Sequence, residues 1–186
     1  THIPAWRITH HGAEERTFEE HAYPFAGEDN ARIRLGVITL SEDGPSEPVW
    51  MPLSVQGESE DIYLARVYWG RAGLVVALQD RSQCRLELIR LDPKTGAAKP
   101  LLVEETDVWI NLHHLFTALP DGGFVWGSER TGFQHLYRYR ADGTCLGAIT
   151  DGEWMVDELH SVHKGLVYFS GTLDDPRQRQ LYVVPL

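Results

Sequence analysis

A set of strand landmarks recurs along the chain at a nearly constant interval. Tyr63 (DIYLA), Trp109 (DVWIN) and Trp154 (GEWMV) stand 46 and 45 residues apart. A glycine and a short apolar run follow each one: Gly73-Leu74-Val75-Val76, Gly123-Phe124-Val125-Trp126 and Gly165-Leu166-Val167-Tyr168. A third run recurs as Leu86-Glu87-Leu88-Ile89, Leu136-Tyr137-Arg138-Tyr139 and Leu181-Tyr182-Val183-Val184. A fourth comes after a turn signal: Asp92-Pro93-Lys94-Thr95-Gly96 leads into Pro100 to Val103, and Ala141-Asp142-Gly143 into Cys145 to Ile149. The last unit has no fourth run. Four short strands in about 45 residues, repeated, are the pattern of propeller blades. The spacing therefore predicts an all-β fold, a fragment of a β-propeller. It has about three to four four-stranded antiparallel blades, the first and last incomplete. The alternative is a β-sandwich, which does not predict three copies of an aromatic, a glycine and a leucine strand.

The clearest unit runs from Val108 to Arg140. Trp109 and Ile110 lead into its first strand, with Phe116 near the end. Pro120-Asp121-Gly122-Gly123 is a turn, because proline fixes φ and glycine tolerates positive φ. Leu136 to Arg140 alternates, with Tyr137 and Tyr139 on one face and Leu136, Arg138 and Arg140 on the other. On this reading residues 1–30 form an irregular lead-in segment, with one strand at Trp6 to Thr9 and solvated acids at Glu14-Glu15 and Glu19-Glu20. Residues 31–186 form the partial propeller, divided into blades at 31–60, 61–106, 107–152 and 153–186. In the first of these, Ala31 to Leu40 alternates as one strand, and Val49 to Val55 forms another.

Seventeen basic against 27 acidic residues leave a net charge of −10. A nucleic-acid binder needs a basic face to replace counterions, so that class is excluded. The charge suits solubility or a weak attraction for cationic partners. No apolar run approaches the ~18 residues of a membrane helix. The chain begins at Thr1 and not at Met, so the parent is expected to extend upstream. Cys84 and Cys145 are read as free thiols in strands; this favours a cytoplasmic over a periplasmic parent. His10-His11, His113-His114 and His160-Ser161-Val162-His163 offer nitrogen ligands, but on strands the members of each set point to opposite faces. No metal or other cofactor is expected. Tyr63, Trp109 and Trp154 are read as core between blades, since aromatic burial dominates such cores. Ser128-Glu129-Arg130 is read as a turn held by side-chain hydrogen bonds, and Glu104-Glu105 as a third solvated acidic doublet.

Taken in order, several stretches resemble one family. They are THIP (1–4), YPFAGEDN (23–30), DIYLARVYW (61–69), DVWINLHHLF (107–116), SERTGFQHLY (128–137), GEWMV (152–156), LVYFSGT (166–172) and LYVVP (181–185). Together they resemble the propeller of the dipeptidyl peptidase IV family of serine peptidases, most of all the subgroup of dipeptidyl peptidases eight and nine. The resemblance implies an eight-bladed propeller capping an α/β-hydrolase domain. That domain carries the Ser, Asp and His of the triad, and the propeller supplies paired glutamates that hold the substrate's N-terminal amine. The implied reaction removes dipeptides with proline or alanine second from the N-terminus.

None of the 17 glycines opens a G-x-S-x-G elbow, so no nucleophile of the family's kind lies in this chain. No catalytic residue is assigned, and the segment alone is expected to be inactive. Nor does any glutamate doublet stand in the family's amine-binding context, which precedes the part matching Thr1. The resemblance carries over one position: His113 falls where relatives point an aromatic or histidine side chain at the substrate. His114 beside it stands where an acid is usual. Both are assigned to peptide binding, with an ordinary loop-end histidine as the competing reading of His113. The expected partners are a peptide substrate and the hydrolase domain outside this chain, and open blade edges favour self-association. The alternative function is a non-enzymatic propeller that binds proteins.

Overall fold

In a computed structural model, described for residues 3–10, 12, 17–57, 61–70 and 73–186, every helix or strand is a strand. Three antiparallel meanders follow one another. β7 (Ile62–Gly70), β8 (Gly73–Asp80), β9 (Arg85–Leu91) and β10 (Ala98–Glu105) form a four-stranded sheet. So do β11 (Phe116–Ala118), β12 (Phe124–Ser128), β13 (His135–Tyr139) and β14 (Cys145–Ala148). β15 (Val156–His163), β16 (Leu166–Gly171) and β17 (Gln180–Pro185) form a three-stranded sheet. Ahead of them β3 (Leu35–Val37) pairs with β6 (Val49–Met51), enclosing the short hairpin of β4 (Leu40–Ser41) and β5 (Gly44–Pro45). This is a stack of propeller blades, an all-β fragment as the sequence period requires.

The side-chain period of two lets one strand serve two interfaces. Along β8, Leu74, Val76 and Leu78 face back into a core with Met51, Leu53, Val55 and Ile89. Val75 and Ala77 face forward into a core with Leu88, Phe124, Trp126, Tyr137 and Tyr139. Val125 and Leu136 carry the pattern into a third core with Val156, Val167 and Phe169. Each fully buried side chain of this kind is worth about 1.5–3 kcal/mol, and a strand buried on both faces collects that gain twice per turn of the pleat.

Arginines on the third strands bind adjacent sheets together. Arg90 donates to the carbonyls of Ala141 and Gly122 at 3.0 and 3.1 Å. Arg138, opposite Val125 as Arg90 is opposite Val75, reaches the Leu186 carbonyl at 3.4 Å. In the last sheet the matching position, opposite Tyr168, is Val183, which is exposed.

Five expectations need correction. The predicted Ala31–Leu40 strand shrinks to Leu35–Val37, and Val49–Val55 to Val49–Met51. The lead-in holds a second strand: β1 (Ala5–Thr9) pairs with β2 (Phe18–Ala22), on which exposed Glu19 and Glu20 meet His10, His21 and Arg7. Val167 is not the counterpart of Val75 and Val125: it faces backward, so the last repeat is offset by one residue. Both cysteines are free, but Cys84 lies in the turn before β9 and not in a strand. Glu14, Glu15 and His11 lie outside the described residues.

Gly143 sits at φ +95° where a Cβ would overlap the Leu101 carbonyl of the preceding sheet, whereas Gly165 at φ +75° has open space around it. Gly143→Ala is therefore expected to destabilise the chain by about 3 kcal/mol or more, and Gly165→Ala by about 1–2 kcal/mol, the left-handed strain alone. Urea unfolding of both variants checks this; equal costs would mean that the seam is not tightly packed at Leu101.

Candidate functional site

The segment from Thr106 to Leu115 crosses one end of the first four-stranded sheet without joining any ladder. It was expected to begin a strand at Trp109. Instead the backbone N–H of Ile110 is taken by the Gln83 carbonyl at 2.9 Å, and the Ile110 carbonyl receives the buried Gln79 amide. The chain is thus pinned to the β8–β9 turn, and pairing starts only at Phe116. Trp109 accordingly stays 56% exposed and is not core between blades, whereas Trp154 packs on Phe169 and His135.

Beneath this segment lies a cavity of about 360 Å³. Trp109, Ile110, Asn111 and His113 line it from the segment, Glu104 from β10, and Trp126, Ser128, Glu129 and Arg130 from β12 and the turn after it. His113 lies 4.5 Å from the Trp126 ring, and its Nδ1 accepts the Leu115 N–H at 3.1 Å. Burial pushes the imidazole down to about 4, with the nearby Arg66 and His114 charges acting the same way and a backbone hydrogen bond at Gly127 opposing them. A neutral ring follows across the physiological range, able to pack or to exchange one hydrogen bond. His114 is exposed and does not line the cavity.

The cavity floor is a charge network that the sequence did not disclose. Glu104 was expected to be a solvated acid, but its side chain is only 16% exposed. Its Oε1 accepts from Trp126 Nε1 at 3.2 Å and from Arg130 Nη2 at 2.7 Å, and its Oε2 from Ser128 Oγ at 2.9 Å. Arg130 lies over the Tyr137 ring at 4.3 Å and donates to the Tyr139 hydroxyl. Burial alone would weaken the Arg130 charge, but Glu104 overrides it and holds the guanidinium firmly protonated. Burial likewise raises the Tyr139 phenol, keeping it neutral. No pattern in the sequence marks Glu104: a β-bulge between Pro100 and Leu102 turns its face toward the next sheet. Glu105 stays largely exposed and pairs with Arg85. Across the cavity mouth Asn111 Nδ2 donates to Glu129 Oε2 at 2.8 Å, tying the loop to the turn. Among the described residues no cluster of His, Cys, Asp and Glu is arranged to hold a metal.

The family description "Dipeptidyl peptidase IV (DPP IV) N-terminal region" matches residues 1–186. The chain belongs to this family. Human dipeptidyl peptidase 8 is similar to it at 28% identity, covering 92% of this chain but 26% of the relative. A probable dipeptidyl-aminopeptidase B of Aspergillus oryzae is also 28% identical, covering 88% of this chain and 20% of its own length. Among solved structures, Porphyromonas gingivalis dipeptidyl peptidase 4 superposes with a TM-score of 0.84 at 22% identity, over 98% of this chain and 26% of that one. A putative dipeptidyl aminopeptidase IV from Bacteroides ovatus superposes at 0.80 with 16% identity, over 99% and 29%. The dipeptidyl peptidase IV N-terminal segment described here thus spans about a quarter of the relatives it matches.

Two outcomes follow for the segment. The His113 ring binds a proton less readily folded than unfolded, where the value is 6.5. The unfolded state therefore holds more protons between pH 6.5 and about 4, and stability falls as pH drops through that window. The loss is on the order of 3 kcal/mol; urea midpoints measured against pH should show it in the wild type and lose it in His113→Gln. Glu104→Ala removes the acceptor shared by Arg130, Trp126 and Ser128; because the guanidinium is 35% exposed and can be rehydrated, the cost should be about 1–3 kcal/mol, against under about 1 kcal/mol for Glu105→Ala, whose pair is exposed.

Proposed function

We propose that this chain is the propeller segment of a serine-type dipeptidyl peptidase, and that it walls the compartment in which the substrate's N-terminus is held. The reaction is the release of an N-terminal dipeptide with proline or alanine in second place. The observation that carries the reading is the family match along the whole segment. The neutral His113 ring, held by Trp126 in the wall of a cavity, supports a place for the peptide on this face. The nucleophile, its base and the amine-binding glutamates lie outside this segment; no G-x-S-x-G occurs within it.

The segment's contribution to catalysis is then binding and exclusion. A rigid blade stack excludes folded substrates by size, while an aromatic wall contributes binding energy through contact with the bound peptide. Because His113 stays neutral, it adds no charge that would repel a protonated N-terminus.

In the full-length protein, His113→Ala should raise KM for an X-Pro chromogenic substrate by roughly three- to tenfold and change kcat by less than about twofold, the signature of lost uniform binding. An unchanged KM would remove His113 from the site. The isolated segment should give no turnover on the same substrate; turnover would overturn the location of the nucleophile.

A further inference from the structure

The turn Ser128-Glu129-Arg130 does more than reverse the chain. Three carboxylates line the cavity, and two are spent: Glu104 on Arg130, and Glu105 on Arg85. Glu129 is different. It is half-buried, one oxygen is fixed by Asn111 at 2.8 Å, and among the described residues it has no cationic partner. Trp109, Trp126 and Ile110 share the cavity lining, which holds no lysine. The lining's arginine, Arg130, is turned onto Glu104 and Tyr137, and Arg66, whose charge is felt at His113, does not line the cavity.

An oriented carboxylate without a counter-charge, in a cavity that the exposed Trp109 indole also lines, is a receptor for a cation. The carboxylate supplies a charge-assisted acceptor, and the exposed Trp109 indole supplies a ring face that attracts ammonium and guanidinium groups. Desolvation strengthens both relative to open water. We infer that Glu129, oriented by Asn111 in a cavity that Trp109 also lines, anchors the cationic group of a lysine or arginine side chain of the bound peptide, making this cavity a specificity pocket. The inference deepens the reading of this face as a peptide-binding wall and rests on it. The net charge of −10 on the segment favours approach of such peptides.

The test uses the full-length protein and hexapeptides in pairs, identical except for lysine or norleucine at one position, scanned along the peptide. The second peptide bond is N-methylated to slow hydrolysis, and affinity is read by calorimetry. At one position the lysine peptide should bind roughly tenfold tighter or more, as expected for one hydrogen bond to a charged group, and the advantage should shrink as salt is raised. Glu129→Gln, isosteric and half-buried, should abolish the advantage while leaving the norleucine peptide within about twofold. Asn111→Ala should reduce it in part. Equal binding of the two peptides at every position, a lysine advantage that survives Glu129→Gln, or a preference for an acidic residue would each overturn the inference. Dipeptide release is assayed separately on X-Pro substrates whose X side chain is uncharged, so failure of the enzymatic reading registers there and not in the lysine–norleucine ratio.

Discussion

Glu104 carries a carboxylate into the seam between two sheets, and the arrangement of the site follows from how that charge is satisfied. A half-buried charge without partners costs several kcal/mol. Here it receives the Arg130 guanidinium, the Ser128 hydroxyl and the Trp126 indole N–H together. All three donors belong to the next blade. The satisfied network is therefore obtained only when the two sheets meet in one register, and that register sets Trp126 under His113 and the 128–132 turn opposite Asn111. Apolar contacts between Val75, Ala77, Phe124 and Tyr139 supply the larger share of the adhesion, but they tolerate sliding more readily than a three-donor carboxylate does.

The same logic explains why the segment reads as a stack and not as a self-contained sandwich. β8 and β12 are buried on both faces, one face per neighbour. The last sheet is covered on one face by Val167, Phe169, Tyr182 and Val184, and carries Leu166, Leu181 and Val183 exposed on the other. A blade that buries its two faces in two different neighbours makes loops at the ends of strands the natural place for a site, since those loops alone escape the packing. The cavity at Thr106–Leu115 occupies such an end.

Much of the architecture was legible in the chain. The glycine-led second strands, the Leu136–Arg140 alternation and the missing fourth strand of the last unit all map onto observed sheets. What escaped did so for identifiable reasons. Trp109 matched Tyr63 and Trp154 in spacing, but the first strands of the three sheets begin at Ile62, Phe116 and Val156; a backbone hydrogen bond from Ile110 to Gln83 holds the segment before Phe116 out of the ladder. Glu104 sat in a doublet that looked solvated, and only a bulge, invisible to a period-two reading, turns it inward. Val167 matched its counterparts in sequence, yet faces the opposite neighbour. Of the two histidines assigned to binding, only His113 lines the cavity, because the Leu115 N–H fixes its ring over Trp126 while His114 faces solvent.

The central claim is that the seam network holds the cavity wall in place. Its most direct measurement is the proton-binding midpoint of the His113 ring, followed by NMR in the wild type and in the double variant Glu104→Gln, Arg130→Met, which removes both charges and leaves none stranded. The wild-type midpoint should lie near 4, where burial against Trp126 sets it. In the double variant it should rise by a unit or more toward the value of the free imidazole, about 6.5. A midpoint that stays near 4 in a folded double variant would mean that the cavity wall does not depend on the seam.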